Sequence, residues 1–189
     1  IDNADIQLGE VTDRQGNVIP LTHGMYGVIL HGQDRELRKK AFERYYQAYI
    51  GLTNTIAATY FGNVKKDVFL MQARNYPSCL ARALENEDVD VAVYENLIAA
   101  VHDSLPTMHR YIALRKKLLG LEEQHMYDIY APRVADAELK LPYEEACDLG
   151  IEGLAPLGKE YQSLLREGFA NGWVDVCETT GKRSGAYST

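Results

Sequence analysis

The stretch DRELRKKAFERYYQAYIGLTNTIAATYFGNVKKDVFLMQA, residues 34–73, decides the fold class. Leu37, Ala41, Tyr45, Ala48, Tyr49 and Leu52 recur at spacings of three and four, the stripe of a helix with one face inward. Asp34 is a fitting N-cap, because its carboxylate can accept the free backbone N–H groups of the first turn. The pattern continues through Ile56, Ala57, Tyr60, Phe61, Val64, Val68, Phe69 and Met71. Gly51 and Gly62 each weaken a helix by about 1 kcal/mol relative to alanine. The expectation is one very long helix over 34–73, bent near Gly62; the alternative is two helices broken at Gly62-Asn63.

Working outward, the same period returns several times. Ser78 caps a short helix over 78–84. Asp90 opens one over 90–103, and Ser104-Leu105-Pro106 restarts another over 105–119, since proline is tolerated in a first turn. Gly120 stands where a helix-ending glycine belongs. Tyr127–Pro132 reads as extended, because the residue before a proline avoids the helical region. Further helices are expected over 142–152 and 156–170. The first twenty residues read as a β-hairpin, with a polar turn at Asp13–Asn17 between short apolar runs. His23 and His31 fall in an expected loop and helix approach. After Asn171-Gly172 the chain turns β-like, and 172–189 reads as the start of a second hairpin. The fold class is therefore mostly α, a bundle of long helices with short β elements at both ends. The whole of 1–189 reads as one segment, with helices over 33–170.

The composition excludes several functions. Acids outnumber bases 27 to 20, for a net charge of −7. A nucleic-acid groove needs concentrated positive charge, so no nucleic-acid partner is expected. The basic runs Arg35-Arg38-Lys39-Lys40 and Arg115-Lys116-Lys117 sit on helical patterns and read as solvated faces. No apolar run approaches the ~20 residues of a membrane span, so no membrane is expected. Cys79, Cys147 and Cys177 form neither a disulfide framework nor a Cys-x-x-Cys knuckle. With no signal-peptide core near Ile1, the expectation is a reducing, cytoplasmic protein.

Local chemistry is sparse. Glu122-Glu123-Gln124-His125 holds a Glu-x-x-His, but a di-iron carboxylate site needs two such motifs and two more glutamates. His102 and His109 are seven apart, with Pro106 between them. No serine sits in a Gly-x-Ser-x-Gly elbow, and no phosphate-binding glycine loop is present. The 13 tyrosines are many for this length. Tyrosine suits a half-wet wall, such as one that faces a peptide or another domain. From these residues alone the chain has no self-contained active site; catalytic residues and metal ligands are expected to be absent.

Four stretches in order resemble the oligoendopeptidase F family of thimet-oligopeptidase-like zinc metallopeptidases. They are LTHGMYGVILHGQDRELRKKAFERYYQAY (21–49), RNYPSCLARAL (74–84), HRYIALRKKLLGLEEQHMYDIYAP (109–132) and GWVDVCETTGKRSGAYS (172–188). The resemblance implies a zinc-dependent endopeptidase acting on short peptides, with long helices forming one wall of a narrow cleft. It implies that Gly185, Ala186 and Tyr187 form an edge strand to which substrate adds through main-chain hydrogen bonds. Gly185 and Ala186 are small enough for a peptide backbone to come close; the other reading of Gly185 is a turn or bulge residue. The family's zinc motif, His-Glu-x-x-His, does not occur in the 189 residues. The resemblance places it shortly beyond Thr189. The expectation is thus a segment cut at both ends just upstream of the catalytic core, inactive alone and binding no zinc. Its partners would be short peptides and the missing catalytic half. The alternative is an autonomous, non-enzymatic helical module that binds a peptide or a protein.

Overall fold

The computed structural model describes residues 5–133, 141–179 and 182. They divide into two bodies, one of residues 6–133 and the other of the described residues from 141 onward together with Asp5. The chain is mostly helical, as the stripe over 34–73 predicts.

The first body opens with the expected hairpin. Strand β1 (Glu10–Thr12) pairs antiparallel with β2 (Val18–Pro20), Val11 opposite Ile19. The turn is held by Asp13, whose carboxylate accepts the backbone N–H groups of Gln15 and Asn17. A helix that the sequence reading did not anticipate follows. α1 (His23–Leu30) is capped by Thr22, whose hydroxyl accepts the Met25 N–H at 3.0 Å. Gly24 and Gly27 mask its pattern, yet Ile29 and Leu30 are buried.

The long stripe divides, but not at Gly62. α2 (Arg35–Ile50) ends at Gly51, and α3 (Thr53–Ala73) begins after Leu52. Leu52 leaves helical geometry (φ −109°, ψ 16°), and its N–H bonds back only three residues, to Tyr49. The Thr53 hydroxyl donates to the freed Ile50 carbonyl at 2.7 Å. Leu52 packs on the core, so the break turns this side chain inward. Gly62 lies inside α3, where its local cost of about 1 kcal/mol does not stop a helix already propagating.

α4 (Cys79–Leu84) is capped by Ser78 as expected. The two helices expected at 90–103 and 105–119 are one, α5 (Val91–Leu118), with Pro106 inside it. The Ser104 hydroxyl, expected to start a new helix, donates instead to the Ala100 carbonyl. Tyr127–Pro132 is not extended at its start: Met126–Asp128 forms a 3-10 turn. In the second body, α6 (Tyr143–Gly153) and α7 (Lys159–Ala170) pack together. Between Gly172 and Thr179 the chain makes turns and bends; the rest of the expected second hairpin lies outside the described residues.

The core gathers in one corner. Ile6, Leu8, Val11, Leu21, Ile29 and Ala41 are buried together, with Leu37, Tyr45, Ala48 and Leu52 against them. β1, β2, α1 and α2 are thus welded into one piece. α3 holds no buried residue, and α5 holds only Arg115.

Candidate functional site

The polar centre of the first body is Asp128. Its side chain is fully buried, at 0% exposure. Arg35 of α2 donates from Nε to Oδ1 at 3.1 Å and from Nη2 to Oδ2 at 3.0 Å. Arg38, one turn on, donates from Nη2 to Oδ1 at 3.0 Å. The His125 N–H donates to Oδ2 at 3.1 Å, so each oxygen accepts twice. Burial would raise the Asp128 pKa, but the bonds from Arg35, His125 and Arg38 outweigh it and hold it below the ordinary aspartate value.

The arginines also bind the backbone. Arg38 Nε donates to the Tyr127 carbonyl, and its Nη1 to those of Gly32 and Gln33. Arg115, from the last turn of α5, donates through Nη2 to the carbonyls of Ala131 at 2.9 Å and Asp128 at 3.3 Å. The segment 123–131 is therefore tied to α2 and to α5 at once. Arg38 and Arg115 are only 4% and 6% exposed, against the expectation that both basic runs are solvated. Only arginine suits such a place, because its planar fork donates in several directions and its charge is weakly hydrated. Arg38 shares the inward spacing of Ala41, Tyr45 and Ala48, which is the sequence signal for its burial.

This knot fixes an aromatic surface. Tyr127 is buried, stacked on His125 with ring centres 5.0 Å apart, and Arg35 lies 5.3 Å over its ring. Tyr130 is 55% exposed and leans on His31 at 5.1 Å. Beside it Tyr26 stacks on Tyr45 at 4.1 Å, and Tyr45 meets His23 Nδ1 at 2.9 Å through its hydroxyl. Burial, with Tyr46, Tyr45 and Tyr130 nearby, pushes the Tyr26 phenol up to about 12. The Tyr26 hydroxyl therefore stays protonated at neutral pH, able to donate or accept without carrying charge.

Among the described residues, no three His, Cys, Asp or Glu side chains come together as a metal site. His125 Nε2 lies 3.7 Å from a Glu123 carboxylate oxygen, and both side chains are exposed at a surface turn. His102 and His109 lie on one continuous helix, both exposed. The described residues do not fit a catalytic zinc. Gly185, Ala186 and Tyr187 lie outside the described residues. No helix among the described residues is long and apolar enough to cross a membrane.

The family model "Peptidase family M3" matches residues 28–189. Over its whole length the chain is 48% identical to Oligopeptidase PepF of Bacillus subtilis, of which it covers 28%. Over 99% of its length it is 42% identical to an Oligoendopeptidase F homolog of Lactococcus lactis, of which it covers 31%. Among solved structures it is similar to oligoendopeptidase-F from Enterococcus faecium, with a TM-score of 0.68 and 35% identity over 90% of this chain and 32% of that one. The chain thus spans less than a third of the length of these relatives.

Proposed function

Since the chain belongs to peptidase family M3, we propose that it is a segment of a longer zinc metalloendopeptidase that hydrolyses short peptides in the cytoplasm. The observation that carries the reading is the family match, together with end-to-end similarity to relatives named as oligopeptidases. The zinc is held by residues outside this segment; when bound it supplies the activated water that attacks the peptide carbonyl. The described residues contribute no ligand to it, and their part is architectural. The tyrosine-bearing helices α2 and α3 form a wall of the substrate cleft, with α2 held rigid by the Asp128 knot. Gly185, Ala186 and Tyr187 form the edge that pairs with substrate. Main-chain pairing reads no side chain, which suits an enzyme acting on many short sequences.

The test uses the longer protein and a set of short quenched fluorescent peptides. Hydrolysis lost on chelation and restored by zinc is expected, while the 189-residue segment with zinc gives no turnover. Peptide binding without hydrolysis by the longer protein would favour a non-enzymatic peptide-binding module instead. For the edge, Ala186→Pro removes one N–H from the strand. It is expected to raise KM with the fold intact; unchanged kinetics would remove Ala186 from the substrate site.

A further inference from the structure

In the second body, Lys182 holds the stretch of chain just before it. Its ammonium donates to the Asp175 carbonyl at 2.8 Å and to the Cys177 carbonyl at 2.7 Å, and lies 2.9 Å from the Asp175 carboxylate. An ammonium has three N–H groups, so three acceptors engage it fully. The Lys182 backbone N–H donates to the Thr179 carbonyl at 3.0 Å. One residue thus binds the carbonyls of 175, 177 and 179, its side chain running back along them. A spacing of two is the one at which the carbonyls of an extended chain face one way. In a hairpin a second strand would supply their donors; here a single lysine does.

The Asp175 side chain is 82% exposed, so the ion pair adds little. The carbonyl bonds matter more, because the Lys182 side chain is only 28% exposed and a charged donor bonds a carbonyl more strongly than a neutral one does. Lysine suits the place better than arginine, whose donors lie fixed in one plane. The other end of the stretch is anchored too. Trp173 donates its N–H to the Gly168 carbonyl at 3.1 Å, and its ring covers Gly168 so closely that an added Cβ would meet the indole. The run 173–179 is therefore tied to α7 at its start and to Lys182 at its end. Lys182 stands three residues before Gly185.

We propose that Lys182 is a positioning residue for the peptide substrate: by clasping the carbonyls of 175, 177 and 179 it sets where the chain sends Gly185, Ala186 and Tyr187, and so how a peptide backbone pairs with them. Lys182 acts through that backbone and not on the substrate itself. An edge that binds through its main chain has no side-chain pocket to guide the peptide, so its own placement decides the fit. Three residues span at most about 10 Å, which leaves little chain in which an error at Lys182 could be absorbed. This inference rests on the reading of 185–187 as the substrate edge of a longer peptidase, and the test separates the two.

The experiment measures hydrolysis of short quenched fluorescent peptides by the longer protein. Lys182→Met keeps the apolar stem and removes the three donors. It is expected to raise KM about 10-fold with kcat within about twofold, as when binding shared by the ground and transition states is lost. A lower kcat at unchanged KM would mean only that less protein is folded, and would overturn the proposal, as would unchanged kinetics. In a cysteine-free version, Lys182→Cys is expected to show the same raised KM. Alkylation of that cysteine with 2-bromoethylamine rebuilds an ammonium at nearly the original length and is expected to restore KM; failure to restore it would overturn the proposal. Peptides N-methylated at one amide at a time separate the two readings. The unsubstituted protein is expected to discriminate against methylation at the amide that pairs with the edge, and Lys182→Met to discriminate less. Full discrimination in Lys182→Met would reject the role of Lys182 and keep the edge. No discrimination in the unsubstituted protein, with Ala186→Pro also silent, would reject the edge and this inference with it.

Discussion

The corner built from β1, β2, α1, α2 and the 123–131 segment differs from the helices α3 and α5 in one respect. Both regions are rich in large apolar residues, yet only the first buries them. In the corner, Ile29 and Ala41 meet side chains from the hairpin, and Arg35 and Arg38 draw a distant turn onto α2 around one carboxylate, while Arg115 of α5 holds that turn by its backbone carbonyls. In α3 and α5, residues as apolar as Phe61, Phe69, Leu97 and Leu118 stand more than half exposed. Apolar area contributes about 25 cal/mol per Å² only when it leaves water. The corner therefore gains this stabilisation from its own residues, whereas α3 and α5 gain little of it within their own body.

The sharpest way to break that contrast is at Asp128. Asp128→Ala strands buried guanidinium charge, and chemical denaturation of the longer protein should show a loss of about 3–5 kcal/mol. A loss near zero would mean the corner is not held by the knot. The same carboxylate sets a pH dependence. Its folded pKa lies below the unfolded value, so its stabilisation is complete above the ordinary aspartate pKa and disappears as pH falls through the lowered one. The denaturant midpoint of unfolding should move less with pH in Asp128→Asn than in the wild-type protein, and equal profiles would count against the knot.

Next in size are paired truncations. Ile29→Ala should cost about 2–4 kcal/mol, and Leu97→Ala should cost a similar amount in the longer protein if α5 is enclosed there. If Leu97 remains exposed, its loss should fall within about 0.5 kcal/mol. Gly9→Ala comes third. Gly9 has φ +73°, and an added Cβ would crowd Arg44 Nη2, at the end of a side chain that can shift. The backbone strain alone should cost about 1–2 kcal/mol, read as a lower Tm. Smallest is Asp90→Ala, which removes the acceptor for the Ala92 N–H at the start of α5. It should cost about 1 kcal/mol, and no change would show that α5 is held by packing and not by its cap.

Much of the architecture could be read locally. The caps at Asp34, Ser78 and Asp90 and the inward spacing of Leu37, Ala41 and Tyr45 are properties of adjacent residues, and each recurs in the structure. The errors have a common cause. Gly62 is a weak local breaker and Pro106 a strong one, yet both lie within helices; Leu52, a good helix former, stands at a break, with its side chain packed on the core. The α1 helix was hidden by its glycines. Arg38 and Arg115 read as solvated because arginine usually is, and only the arrival of Asp128 from about ninety residues away makes burial of Arg38 favourable. The proposed substrate edge at Gly185–Tyr187 rests on a resemblance, and these residues lie outside the described ones.

The sequence by itself determined the helical class, most helix starts, the hairpin and, through four stretches in order, the family. Those depend on neighbours within one or two turns, where spacing and capping act directly. Only the tertiary structure decided where the long stripe breaks, which arginines are buried, and which apolar faces are filled and which stand open. Those outcomes depend on pairs far apart in the chain, such as Arg38 with Asp128, whose attraction matters only once folding has removed water from between them.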